Sequence, residues 1–233
     1  MLLYADKLVS GYGKKEVLHS VSLSVDANEI VALIGHNGAG KTTTFRTLEG
    51  VIKARNGTIT YEGKDITNRS PVANVKAGIC FVPQEKAIFG DLTVSENLEV
   101  ASFLKGRGTV TGTLKIVYDL FPILKQRDTQ KAGTLSGGEQ RMLAFAISLM
   151  LVPKVLFLDE PSLGLAPFLA LDVIKTVKEI NQRLKVAIIL AEQNVPEAAL
   201  NISHRVYVMR EGRIEWESST QELLQKKRLW ELF

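Results

Sequence analysis

Residues 30–49 read IVALIGHNGAGKTTTFRTLE, an apolar run, a glycine-rich turn and a helix-compatible stretch in immediate succession. Gly35, Gly38 and Gly40 allow a loop tight enough for its backbone N–H groups to converge on an anion. The helix expected from Lys41 directs its positive dipole end at the same point. The spacing G-x-x-x-x-G-K-T, set between a strand and a helix, is the phosphate-binding P-loop (Walker A) pattern in the context it requires. The residues expected around the phosphates are Gly35, His36, Asn37, Gly38, Ala39, Gly40, Lys41, Thr42 and Thr43. Among them, Lys41 is expected to meet the β- and γ-phosphates and the Thr42 hydroxyl to ligate magnesium.

A second acidic element follows far downstream. Val155-Leu-Phe-Leu-Asp159-Glu160 is a buried-strand pattern ending in two carboxylates at a sheet edge. Asp159 suits a hard cation that wants oxygen ligands and keeps several waters. Glu160, one residue on, points differently and is the expected general base that orients and deprotonates an attacking water.

Around these motifs, short β-branched runs alternate with helical stretches, the pattern of an α/β fold. Strands are expected over 17–25, 29–34, 58–61, 78–82, 155–158, 186–191, 205–210 and 213–217. Asn56-Gly57, Glu62-Gly63 and Glu211-Gly212 are expected as hairpin turns, so the sheet should be mixed, with an antiparallel side. From about Gln84 to Leu149 the β signal fades, and Thr93-Val-Ser-Glu96 reads as a capped helix start. Gly106, Gly108 and Gly112 suggest a loose loop within that block, and Pro122 a helix break near Phe121. The expected organisation is one domain, with a nucleotide-binding core over about 1–84 and 150–233 and a helical subdomain over about 85–149.

Composition bounds the alternatives. With 233 residues, 45% of them hydrophobic and 23% charged, the chain can bury a sizeable core. The longest apolar stretch, 144–158, is interrupted by Pro153 and Lys154 and falls short of the ~20 residues a spanning helix needs. The opening MLLYADKLVS lacks a secretion-signal pattern, so a cytoplasmic location is expected. Cys80 is the single cysteine, which excludes an internal disulfide, and its apolar neighbours read as core. The three histidines have no metal-site spacing, and a net charge of +4 selects no partner by itself.

Leu135-Ser-Gly-Gly-Glu-Gln140 completes the set. Gly137 and Gly138 would let amides approach an anion at a helix start, and Ser136 would add a hydroxyl while also capping that helix. With this stretch the chain resembles the ABC ATPases along essentially its whole length, with the motifs in that family's order. The resemblance implies a P-loop core with a mixed sheet and a helical lobe, ATP and Mg²⁺ as cofactors, and a dimer that closes head to tail around two nucleotides. In such a dimer Ser136, Gly137, Gly138 and Glu139 grip the ATP held by the opposite copy. It also implies adenine stacking by Tyr12, and for Gln84 contact with magnesium or the attacking water.

Two departures narrow the subfamily. Gln193 stands where most members place a histidine, and an amide can position a γ-phosphate or water but cannot exchange a proton near neutral pH. Ala166 replaces the usual aspartate in Pro161-Ser-Leu-Gly-Leu-Ala-Pro167. EPSLGLAP, AEQN and the short length together resemble the smaller, LivF-type ATPase subunit of branched-chain amino-acid importers, although that type commonly has glutamate at position 84. The implied partners are a second ATPase subunit, two membrane permeases and, indirectly, an extracytoplasmic binding protein, with the chain peripheral on the inner membrane face. Phe89 and Leu92 are candidate permease contacts, and the tail from Leu223 to Phe233 reads as an amphipathic helix.

Other readings are a soluble ABC ATPase acting on ribosomes or nucleic acid, a non-catalytic paralogue, or a transporter subunit for amides, urea or lipids. Against the first stand a single P-loop, the absence of sustained heptads between the motifs and no basic stripe with interleaved aromatics. Against the second, Lys41, Ser136, Asp159 and Glu160 are all retained.

Overall fold

The computed structural model describes residues 1–85, 87–103, 107–193 and 197–225. Its first half contains β1 (Leu3–Tyr12), β2 (Lys15–Val25), β3 (Ile30–Ile34), α1 (Lys41–Glu49), β4 (Ala54–Tyr61), β5 (Lys64–Asp65), α2 (Pro71–Ala77) and β6 (Ile79–Val82). A helical stretch follows, with α3 (Val94–Ser102), α4 (Arg107–Leu120), α5 (Pro122–Gln126) and α6 (Gly137–Met150). The rest comprises β7 (Val155–Asp159), α7 (Pro167–Leu184), β8 (Ala187–Glu192), α8 (Glu197–Ile202), β9 (Arg205–Arg210), β10 (Arg213–Ser219) and α9 (Thr220–Gln225).

The strands form two sheets. One is antiparallel in the order β2-β1-β4-β5, and the other runs β10-β9-β3-β8-β7-β6, parallel except for the edge hairpin β9–β10. Strands β3, β7 and β8 are buried on both faces, which their unbroken apolar runs require. Period-two alternation divides β7 and β8 between two cores: Leu156 and Leu158 of β7 pack on the helical side with Leu143, Phe145 and Val177. Val155 and Phe157 face the opposite way, against Phe45 and Leu48 of α1 and the antiparallel sheet. Phe45 stacks on Phe157 with ring centroids 5.2 Å apart. A buried aromatic of this kind is worth about 1.5–3 kcal/mol and fixes α1, and so the loop before it, on the sheet.

Several expectations are corrected. Strand β1 lies outside the predicted set because Asp6-Lys7 break its alternation; Lys7 has φ 50°, and the pairing with β2 slips there. Asn56-Gly57 is an irregularity inside β4 opposite the same slip in β1, not a hairpin turn. A Cβ on Gly57 would lie 2.4 Å from the Asp6 carbonyl oxygen, so close backbone approach selects the glycine. Glu62-Gly63 and Glu211-Gly212 do make hairpins, with positive φ at both residues of each pair. Gly108 and Gly112 fall within α4, where burial of Val117 and Leu120 in the helical-side core offsets the roughly 1 kcal/mol that each glycine costs a helix.

Gly106 and residues 226–233 of the predicted tail helix lie outside the described residues. Pro122 does end α4 and opens α5. The predicted cap at Thr93 is a full capping box with Glu96. Cys80 is buried in the helical-side core. Among the described residues no helix is long and apolar enough to cross a membrane.

Candidate nucleotide site

The loop between β3 and α1 owes its shape to contacts that leave no room for side chains. A Cβ at Gly35 would meet the Met209 carbonyl oxygen at 2.3 Å, and Gly40 has φ 112°. Gly40 precedes α1 with no side-chain cap, and no acidic residue stands in the helix's first turn. The backbone N–H groups there are therefore directed outward, as an anion site needs.

Lys41 is 4% exposed, and its Nζ donates to the carbonyls of Gly35 at 2.6 Å and His36 at 3.1 Å. It also lies 3.0 Å from Glu160 Oε1. Thr42 Oγ1 donates to Asp159 Oδ2 at 2.6 Å. The two carboxylates thus meet the loop at the carboxyl end of β7, where a ligand crevice in an α/β sheet is expected. Burial raises the Asp159 pKa; the Thr42 hydrogen bond and Lys41 oppose the shift, and Glu160 adds to it. Glu160 has φ 46°, a strained conformation for a non-glycine residue, held by its N–H bond to the Ala191 carbonyl at 3.0 Å.

Asp159 Oδ1 and Glu160 Oε2 are buried without a hydrogen-bond partner. Orphaned carboxylate oxygens beside a hydroxyl are the donor chemistry of a hard divalent cation, so Thr42 and Asp159 fit magnesium. Among the described residues no cluster of three His, Cys, Asp or Glu could hold a metal unaided. That suits an ion that takes one or two carboxylates together with substrate phosphates.

A cleft of about 510 Å³ brings these parts together. Asn37, Gly38, Gly40, Lys41, Thr42 and Thr43 line it from the loop, with Glu160, Gln84 and Tyr12 around them. The volume lies within the ~300–1,000 Å³ range of ligand pockets. Tyr12 ends β1 with its ring 45% exposed, and its hydroxyl accepts from Arg46 at 3.4 Å. Arg55 donates to the carbonyls of Gly13 and Lys15, bracing the turn after Tyr12. Lys15 and Val17 also line the cleft, unnoticed in the sequence because their strand pattern carries no phosphate signature. His36 and Ala39 face a separate hollow near Met209 and Glu211.

The LSGGEQ stretch lies elsewhere. Gly137 lines a second concavity of about 240 Å³ with Arg141, Leu163 and Gly164, and Gln84 is the residue shared with the first cleft. Arg141 Nη1 donates to the Pro83 carbonyl at 3.2 Å, tying α6 to the peptide before Gln84. Ser136 caps α6: its Oγ accepts from Glu139 N at 3.4 Å, and Glu139 Oε2 accepts from Ser136 N at 2.8 Å. Arg127 Nε stands 2.8 Å from the other Glu139 oxygen. The Glu139 carboxylate is thus engaged within its own chain, and Gly138 is buried beside Leu169. Gln193 follows β8, partly buried, and does not line the cleft. Phe89 is exposed and Leu92 half-buried.

A P-loop core with a carboxylate pair at its strand edge and an LSGGEQ helix start lining a second concavity defines an ATP-binding cassette. Residues 18–163 match the family model described as ABC transporter, and the chain belongs to that family. It is 42% identical over 223 residues to the high-affinity branched-chain amino acid transport ATP-binding protein BraG of Pseudomonas aeruginosa, covering 96% of this chain and 95% of that one. A probable branched-chain amino acid transport ATP-binding protein LivF of Archaeoglobus fulgidus is 36% identical, covering 99% and 98%. The lipopolysaccharide export system ATP-binding protein LptB of Haemophilus influenzae is 35% identical, covering 91% and 88%. Among solved structures, the ADP conformation of an ABC transporter ATP-binding cassette superposes with a TM-score of 0.86 at 28% identity, covering 99% and 97%. The protein is an ABC ATPase subunit of a transporter, and it hydrolyses ATP to drive transport.

Proposed function

We propose that this chain powers an importer of branched-chain or related amino acids and works as half of a nucleotide sandwich. The observation that carries the dimer is the separation of the two grips. Loop, lysine and Glu160 share one cleft, whereas Gly137 lies in another concavity, which supports a nucleotide in the first cleft meeting the Ser136–Gly137 start of a second chain. Around the nucleotide, Tyr12 stacks on the adenine, the Gly35–Thr43 loop and Lys41 hold the phosphates, and Glu160 orients and deprotonates water. Thr42 and Asp159, with Gln84 after β6, would hold magnesium, which when bound neutralises developing phosphate charge. Gln193 positions without exchanging a proton. The core spans about 1–84 and 150–233, and 85–149 forms the lobe that meets the permeases.

The cargo reading is supported by the likeness to BraG and LivF together with Gln193 and Ala166. Its partners are a related ATPase subunit, two permeases and an extracytoplasmic binding protein, with the chain on the inner membrane face. The likeness to LptB favours a second reading, lipid export. Purification with the neighbouring membrane subunits and uptake of labelled leucine into proteoliposomes tests the choice. ATP-dependent leucine accumulation is expected; extraction of a lipid without leucine uptake would establish the second reading.

A further inference from the structure

The end of β8 is tied to both loops of the nucleotide cleft. Gly35 N–H donates to the Glu192 carbonyl at 3.3 Å, and Ser162 Oγ donates to the Glu192 carboxylate at 2.7 Å. Glu192 is 4% exposed and does not line the cleft. Among the described residues no lysine or arginine forms an ion pair with it, although Lys41 and Arg141 attract it electrostatically and Glu160 repels it. Burying a carboxylate without an ion-pair partner is costly, so the position calls for a function beyond packing.

The segment that Ser162 belongs to is also held by the Glu160 N–H bond to the Ala191 carbonyl and by Leu165 packing on the helical-side core. Leu163 N–H bonds to the Glu160 carbonyl at 3.1 Å and Leu165 N–H to the Ser162 carbonyl at 3.3 Å, both within the loop itself. Beyond Ser162 the loop reaches the surface, with Leu163 41% exposed beside Gly164 in the concavity that holds Gly137. The Ser162 hydroxyl is thus a side-chain link from this loop to the strand that Gln193 follows, made beside a backbone hydrogen bond from Ser162 to the same carboxylate.

We propose that Glu192 is a positioning residue: by accepting the Ser162 hydrogen bond it makes the loop after Glu160, the start of the phosphate loop and Gln193 move as one body. A change at the phosphates is then passed to Leu163 and Gly164, and a change at that surface returns to Glu160. This rests on the reading of Glu160 as base and of the Gly137 concavity as the face toward a second copy.

The test is a double-mutant cycle in the full chain, measuring kcat, KM, affinity for a fluorescent ATP analogue and Tm for Ser162→Ala, Glu192→Leu, Glu192→Gln and the double variant Ser162→Ala with Glu192→Leu. Ser162→Ala and Glu192→Leu are each expected to lower kcat about tenfold, with analogue affinity changed less than about twofold and the double variant no slower than the slower single. Glu192→Gln keeps an acceptor oxygen and is expected to retain kcat within about threefold. Multiplicative losses in the double variant, an unchanged kcat in Ser162→Ala, or a loss confined to affinity or Tm would overturn the proposal. Should Glu192→Leu not fold, Ser162→Ala against Glu192→Gln decides alone. Glu160→Gln run alongside separates the two failures: if it hydrolyses ATP normally, the base assignment has failed, whatever the cycle gives.

Discussion

The two helix starts that the family motifs mark are built in opposite ways. At α1 the chain supplies no cap, no acidic residue in the first turn and a buried lysine folded back along the loop. At α6 the chain supplies a cap of its own: a capping box between Ser136 and Glu139, with Arg127 against the carboxylate. The first start leaves its donors uncapped, as a phosphate ligand would require. The second satisfies the N–H groups of Ser136 and Glu139 through its capping box, which does not serve those of Gly137 and Gly138, and the Ser136 Oγ that accepts from Glu139 N at 3.4 Å keeps its own proton to donate.

Breaking the first start should have the largest effect. Lys41→Ala removes the cation that faces the phosphates and leaves the Glu160 carboxylate buried without its partner. Phosphate release is expected to fall about 10³-fold, as for loss of a preorganised electrostatic contact. Retention of more than a tenth of the activity would show that the loop does not carry the phosphates.

The carboxylates behind the two starts titrate in opposite directions. Burial pushes Glu192 up to about 7, with Glu160 adding to the shift. Burial also works to raise Glu139, but the hydrogen bonds from Ser136 and the Arg127 charge outweigh it and hold that carboxyl below its ordinary value. For Glu192 the folded state binds its proton more tightly than the unfolded chain. Its ionisation therefore subtracts stability progressively as pH rises from about 4.5 through about 7. Glu192→Gln should thus be more stable than the parent at pH 8, by about 2–3 kcal/mol relative to their difference at pH 4.5, read by denaturant unfolding of the nucleotide-free chain. Glu139 behaves conversely: its contribution is present above its unfolded pKa and lost as pH falls through the lower folded one. Parallel pH profiles for the parent and Glu192→Gln would contradict the assignment.

At α6, Ser136→Ala should cost about 1 kcal/mol of stability through the lost cap. If the hydroxyl also grips nucleotide, turnover falls while the affinity of a single copy for ATP stays unchanged. The smallest effect is expected at Gln193, since an amide there only positions. Gln193→His should leave turnover within about an order of magnitude, and a far larger change in steady-state hydrolysis would refute that role.

The contrast between the helix starts also explains what the sequence makes legible. The phosphate loop, the Asp159-Glu160 strand end and both capping boxes are contiguous strings whose chemistry depends on near neighbours in the chain, and each folds as its local pattern dictates. What escapes is long-range. Strand β1 is hidden because the slip at Lys7 disrupts its alternation, and its identity comes from pairing with β2 and β4. Asn56-Gly57 has the composition of a turn, yet the nearby Asp6 carbonyl keeps it within the sheet. Helix α4 forms through Gly108 and Gly112 because its later apolar residues are held in the helical-side core. Ser162 and Glu192 lie 30 positions apart and carry no motif, so only the fold reveals their bond.

The sandwich itself is tested most directly by Glu160→Gln, with assembly and hydrolysis measured on the same sample by light scattering and phosphate release in MgATP. Two cassettes locked together by nucleotide, alone or with the companion ATPase subunit, while turnover collapses by at least about 10²-fold, is the predicted result. A chain that stays single in ATP even beside its companion, or that hydrolyses it at the parent rate, would contradict the account.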